Sequence, residues 1–167
     1  MSFIILRHAD TQPSQDIDIP KFMLNFNKQI LTLKKIINKN KYKNIIIQSS
    51  PFKRCYDTAL IICNTLNLLL NTNYFVEKNE DLTRWDKKTE TRLESKNRSH
   101  EYGKNIKITN NDYLYIYITH SSIIPSFIAG LIDMDLNKFK KKNNQNLHNC
   151  GISFVKNKKL KLYNSIN

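Results

Sequence analysis

Two arginines and two histidines carry the chemistry this sequence can offer. Arg7 and His8 are adjacent in ILRHADT, Arg54 stands in SSPFKRCYDTA, and His120 stands in YITHSSII. Two guanidiniums and two imidazoles make sense together around an anion. Each arginine presents a planar fork of donors that matches phosphate oxygens, a geometry lysine lacks. A neutral imidazole adds a nucleophilic nitrogen. The reaction such a set could run is phosphoryl transfer, in which electrostatic stabilisation of the moving group supplies most of the catalysis. Taken singly, each residue has a plainer role as a packed histidine or a solvated helix arginine. Their combination gives the chemical reading.

These residues need elements that bring them together. Residues 2–6, SFIIL, form a nearly continuous apolar run that suits a strand buried on both faces, and it delivers Arg7 and His8 to the strand end. Phe22, Phe26, Ile30, Leu33 and Ile37 recur at helical spacing. Residues 45–47 read as a second buried strand. Ser49, Ser50 and Pro51 are expected to open a helix, with serine as cap and proline in the first turn, and Tyr56, Ala59, Leu60, Cys63 and Leu66 as its inner stripe. Residues 74–77 read as a third strand. Residues 78–107 are the most polar and least periodic stretch and read as a partly helical insertion at the site.

Residues 113–119, YLYIYIT, are the clearest strand and end at His120. A short buried helix follows, with Pro125 near its start, then a polar helix over 133–142 and a closing hairpin of 152–155 and 160–163. Strands alternating with helices predict an α/β protein: a three-layer α/β/α sandwich with a mostly parallel central sheet and an antiparallel edge strand. Ligands of such sheets bind beyond the carboxyl ends of the strands, where Arg7, His8, Arg54 and His120 all fall. The whole of 1–167 reads as one domain.

The three segments, in this order and spacing, resemble the histidine phosphatase superfamily, the phosphoglycerate mutase-like proteins. ILRHADT is similar to the family's Arg-His-Gly motif, SSPFKRCYDTA to its Ser-Ser-Pro, Arg and Thr-Ala segment, and YITHSSII to the surroundings of its second histidine. The closing NCGISFV looks like its final strand. The resemblance implies that His8 attacks phosphorus and becomes a phosphohistidine. Arg7, Arg54 and His120 would hold the phosphoryl oxygens, and water would complete hydrolysis. Ser121 is a further candidate contact, since backbone amides after His120 open a helix.

The departures from the pattern are as informative. Ala9 takes the place of the family's glycine, and Ser14 that of an asparagine typical of the mutase branch, which leaves Ser14 as a candidate substrate contact. Aligning Leu82 and Trp85 of DLTRWD with the segment bearing the family's catalytic glutamate puts Arg84 at the acid's position. Asp86, Asp81 and Glu80 are the candidate replacement acids, and Arg84 is a candidate contact for a second substrate phosphate. A positioned acid is worth roughly 10²–10⁴ in rate. Its loss favours phosphohistidine and other substrates with good leaving groups over alkyl phosphates. A phosphate-binding regulatory module with impaired catalysis is the alternative.

The composition bounds the remaining classes. Hydrophobic residues make up 40% and charged residues 25% of the 167, the balance of a globular protein. The net charge of +13 favours anionic substrates. The lysines are scattered, however, and no aromatic-spaced platform accompanies them, so nucleic acid is not the expected partner. His100 and His148 lie in polar stretches and read as solvated. The run 138–142 reads as a solvated helix face. No cysteine and histidine spacing suits zinc, and no metal or cofactor is expected. Cys55, Cys63 and Cys150 read as reduced and buried. The N-terminal residues lack the pattern of a signal peptide and no apolar run reaches bilayer length, so the expectation is a cytoplasmic protein without membrane contact.

Overall fold

The computed structural model describes residues 1–85, 88, 90–107, 112–144 and 146–165. Its centre is a six-stranded sheet in the order β3-β2-β4-β1-β5-β6, with strands β1 Ser2–Arg7, β2 Asn44–Ser49, β3 Val76–Lys78, β4 Tyr113–Thr119, β5 Ile152–Lys156 and β6 Lys159–Ser165. β1 and β2 both run parallel to β4, and β3 runs parallel to β2. β5 pairs antiparallel with β1, and β6 antiparallel with β5. The one reversed strand is therefore β5, a step inside the edge, and β6 closes the sheet.

The apolar run of β1 explains the layering. Successive side chains of a strand point to opposite faces, so Ile4 and Leu6 join one core while Phe3 and Ile5 join the other. The first core is closed by α1 Ile19–Asn40 and α2 Lys53–Leu70. The second is closed by α3 Arg92–Asn105, α4 Ile124–Leu131 and α5 Leu136–Lys142. The result is the three-layer α/β/α arrangement with a mostly parallel sheet.

α1 forms where its signals predict. Asp18 caps it by accepting from Lys21 N at 3.3 Å, Pro20 fits the first turn, and the expected stripe from Phe22 to Ile37 is buried. α2 departs from expectation at its start. It begins at Lys53 with Phe52 in the cap position and no side-chain cap. Ser50 faces the site instead, its Oγ 3.1 Å from His120 Nε2. The inner face of α2 is Arg54, Cys55, Thr58, Ala59, Ile62, Cys63 and Leu66. Tyr56 is only half-buried and Leu60 is exposed, because polar residues that serve the site occupy part of that face. The third strand begins two residues later than expected, at Val76.

α3 is almost wholly polar, yet it packs closely on α4. Thr91 and Glu94 form a reciprocal capping box at its start. Its buried residues are Ser95, Ser99 and Gly103, a row of small side chains that lets the two helix backbones approach. A Cβ on Gly103 would stand 2.5 Å from Phe127 O, and one on Gly130 would overlap the His100 carbonyl. His100 is accordingly not a solvated residue. It is half-buried, with Nε2 3.0 Å from Met134 O, where that nitrogen donates. α5 is capped by Asp135 and buries Phe139 behind its lysines. Among the described residues no helix is long and apolar enough to cross a membrane.

Candidate active site

The carboxyl ends of three neighbouring parallel strands bring the predicted residues to one rim. β1 ends in Arg7 and passes His8 forward, and His8 N donates to Thr119 O at 3.0 Å. β4 ends at Thr119 and presents His120. β2 ends at Ser49, and Ser50 N donates to Ile118 O at 3.0 Å. The turn after Ser50 leads into α2, whose first turn swings Arg54 back across the strand ends. Thr58 ties these parts together, accepting from Ala9 N at 3.1 Å and donating to Arg54 O at 2.6 Å.

The hydrogen bonds fix the state of both imidazoles. His8 Nδ1 lies 2.6 Å from Ala9 O, a carbonyl that can only accept, so Nδ1 carries the proton. Arg54 Nε donates to His8 Nε2 at 3.2 Å, which leaves the Nε2 lone pair directed at the guanidinium. Arg54 Nη2 lies 3.4 Å from His120 Nδ1, and a guanidinium only donates, so that nitrogen is the acceptor. His120 then holds its proton on Nε2, shared between Ser50 Oγ at 3.1 Å and Cys55 Sγ at 3.4 Å. The two rings stand edge to face with centroids 5.3 Å apart.

Both rings are neutral. Burial, helped by the charges of Arg54 and Arg7, pushes the His8 pKa down to about 4 despite the Ala9 carbonyl. Burial pushes His120 down to about 2, with His8 and the arginine charges adding to it. Arg54 is itself lowered, by burial first and by Arg84 next. Arg7 donates to the carbonyl of Leu147, and its Nε is buried without a partner among the described residues.

These groups line a cavity of about 1050 Å³ that also includes Thr11, Phe52, Arg84, Trp85, Lys88, Arg92, Ser95, Lys96, Ser121 and Ser122. Arg84 and Ser121 thus share the cavity with the four central residues. Ser14 does not. It sits on an exposed turn and donates to Asp16 at 2.9 Å. Glu80 and Asp81 also lie outside the lining, in a short 3-10 turn, Glu80–Leu82, whose exit is held by Arg98. Asp86 lies outside the described residues.

Arg98 is one of the residues the sequence reading passed over. It donates to Asp81 O at 2.8 Å and Thr83 O at 3.1 Å, and pairs with Glu90 at 2.7 Å, so it staples the segment bearing Arg84 and Trp85 to α3. Arg92 and Lys96 were also missed. Their spacing of four on a polar helix was the available signal, since it puts both on one face. Phe52 and Cys55 complete the list, packed against His120 by ring edge and sulfur.

With this geometry in hand, comparison with solved structures gives the fold a class. The chain superposes on a phosphoserine phosphatase from Entamoeba histolytica bound to 3-phosphoglyceric acid, with TM-score 0.64, 16% identity, and 98% of this chain and 96% of that one covered. It matches a mycobacterial glucosyl-3-phosphoglycerate phosphatase carrying VO3 with TM-score 0.65, 14% identity and 98% coverage of each chain. It matches an Escherichia coli protein provisionally assigned as an alpha-ribazole-5'-phosphate phosphatase with TM-score 0.69, 13% identity, and coverage of 99% and 98%. The chain has the phosphoglycerate mutase-like fold of these structures. No protein-family model matches it, and no curated protein is detectably similar in sequence.

Proposed function

We propose that this protein is a histidine phosphatase that transfers a phosphoryl group from a phosphomonoester or phosphoramidate to His8 and then to water. One observation carries the reading. The Nε2 atom of a neutral, buried His8 is unprotonated at the cavity wall, its lone pair held by Arg54 Nε at 3.2 Å and a second histidine beside it. A nucleophile has to be unprotonated and must lie next to donors for the charge carried by the phosphoryl oxygens.

In this reading a phosphoryl group enters between Arg54, Arg7 and His120, and the Arg54 fork turns from the two imidazole nitrogens to phosphoryl oxygens. Arg7, which also lines the cavity, is a further source of donors. His120 Nδ1, unprotonated in the free site, shares the proton that a phosphate monoanion brings and then donates to an oxygen. An opposite charge at this distance raises the pKa of the imidazole. His8 Nε2 bonds to phosphorus as the bond to the leaving oxygen or nitrogen breaks, its electron pair departing with that atom, which takes a proton from Asp86 or solvent. Nδ1–H goes on donating to Ala9 O and steadies the cationic phosphohistidine. Water then attacks phosphorus and frees His8. Ser121 lies where it can contact the bound group. Glu80 and Asp81 are not assigned as acids, and Asp86 keeps that candidacy. Residues 1–167 act as one catalytic domain, with 78–107 as the polar insertion beside the site. The three free, buried thiols fit a cytoplasmic setting.

The comparisons support phosphatase chemistry through fold alone, and their substrates are small phosphorylated molecules. A protein phosphohistidine is a second class that fits, because its leaving group demands less of a proton donor. The test is initial rates on p-nitrophenyl phosphate, phosphohistidine and glycerol phosphate with wild type and His8→Ala. We expect the variant to lose about 10³-fold or more, and wild type to prefer the first two substrates. An active His8→Ala would remove His8 as nucleophile. Inactivity of wild-type protein that still binds vanadate would make it a regulatory phosphate-binding module instead.

A further inference from the structure

The cavity that holds His8 far exceeds the needs of one phosphoryl group, at about 1050 Å³, and its outer part is built from Arg84, Arg92, Lys96 and the indole of Trp85. Arg92 and Lys96 lie on one face of α3, and Arg92 stands 4.7 Å from the centre of the Trp85 ring. Arg84 is closer to the central residues. Its guanidinium lies 5.4 Å from the centroid of the Phe52 ring, and that of Arg54 lies 5.8 Å from the same centroid. The guanidiniums of Arg54 and Arg84 thus both stand against the Phe52 ring. Burial lowers the pKa of Arg54 first, and the like charge of Arg84 lowers it further. Like charges held this way are relieved by an anion that spans both. No Asp or Glu is found among the described lining residues.

We propose that the substrate is a phosphoanhydride, with its terminal phosphoryl group between Arg54, His8 and His120 and the adjoining phosphate on Arg84, Arg92 and Lys96. This rests on the phosphatase reading above and names the substrate class of the same site. The chemistry fits the lining. His8 Nε2 forms a bond to the terminal phosphorus as the bridging P–O bond breaks, and the electron pair passes to the oxygen of the departing phosphate. That oxygen leaves as an anion facing Arg84, so no proton has to be delivered, whereas a departing alkoxide needs one. Water then forms the new P–O bond, the P–N pair returns to Nε2, and the water proton goes to solvent or to the phosphate released. Arginine forks are suited to both phosphates.

Trp85 is the sole tryptophan and lines the cavity, so its fluorescence reports binding directly. The probe is methylenediphosphonate, which has no bridging oxygen to cleave, titrated against inorganic phosphate. The wild type should bind it about 10-fold or more tightly than phosphate, and Arg84→Ala/Arg92→Ala/Lys96→Ala should shrink that advantage to about 3-fold or less. Neutralising Lys35 and Lys39, which line a separate cavity by α1 and β5–β6, should leave the advantage intact. Turnover of inorganic pyrophosphate should exceed that of glycerol phosphate. An advantage that survives the triple variant, or falls equally in the lysine pair, overturns the proposal, as does faster glycerol phosphate turnover. Absence of any turnover, p-nitrophenyl phosphate included, sinks the phosphatase reading and this inference together, while an active enzyme without the advantage sinks the inference alone.

Discussion

Arg54 donates its Nε proton to Nε2 of His8 across 3.2 Å, and this contact joins the centre of positive charge to the nitrogen that would attack phosphorus. The same guanidinium reaches His120 Nδ1 at 3.4 Å. Arg54 thus occupies the position between two lone pairs that a phosphoryl group would take, and it is positioned through Thr58, whose hydroxyl bonds its carbonyl at 2.6 Å.

Arg54→Lys keeps the charge and removes the fork. We expect kcat/KM for p-nitrophenyl phosphate to fall by about 10²–10³, the usual effect of losing one preorganised donor to a transition-state oxyanion. Steady-state rates at substrate concentrations well below KM check this. A loss under about 5-fold would mean that a point charge suffices and that the fork geometry is irrelevant.

Neutral histidines set the pH behaviour. His8 falls from 6.5 to about 4 on folding, by burial first and neighbouring arginines next. Between these values the unfolded chain binds a proton that the folded chain does not, so stability rises with pH across this window and is lost as pH falls through it. For His8 alone the full effect is about 3 kcal/mol. Thermal melts from pH 7 down to pH 4.5 should show Tm falling with pH, less steeply in His8→Ala than in wild type. Equal slopes would contradict the burial account. The acid limb of kcat/KM should likewise lie well below pH 6.5.

The close crossing of α3 and α4 gives a test of how the outer cations are held. Gly130→Ala places a Cβ against the backbone of His100 and 2.9 Å from Lys104 N, atoms that cannot move aside singly. A destabilisation of about 1–3 kcal/mol is expected in denaturant unfolding, with α3 displaced from the cavity. A variant of unchanged stability would show that the two helices separate freely.

The thiols should be inert. Burial pushes Cys55 and Cys150 up to about 12 and raises Cys63 as well. Reaction with an aromatic disulfide reagent at pH 8 should be at least about 100-fold slower in native protein than in urea, where all three react. Fast labelling of any one in the native state would place that thiol at the surface.

Much of the fold was legible because its signals are local. The stripe from Phe22 to Ile37 and the run in β1 each carry the period of their element, and strand ends necessarily deliver Arg7, His8 and His120 to one rim. What the sequence concealed depends on contacts between distant segments. The start of α2 was misread because Ser50 resembles a cap, whereas its hydroxyl is drawn to His120 from another strand. α3 lacks an apolar stripe and packs through Ser95, Ser99 and Gly103, residues with little hydrophobic signature. The outer cations were partly visible as Arg84, but the addition of Arg92 and Lys96 needed the docking of α3, and the staple made by Arg98 needed the turn it binds. Ser14, chosen by alignment to a motif, stands on an exposed turn away from the cavity.

The most direct test of the central claim is rapid-quench mass spectrometry of the protein mixed with p-nitrophenyl phosphate. Within the first turnover the wild type should gain the mass of one phosphoryl group, mapped to His8 in an acid-labile, base-stable linkage, and His8→Ala should gain none. Turnover without an adduct on His8, or an adduct that persists in His8→Ala, would contradict the account.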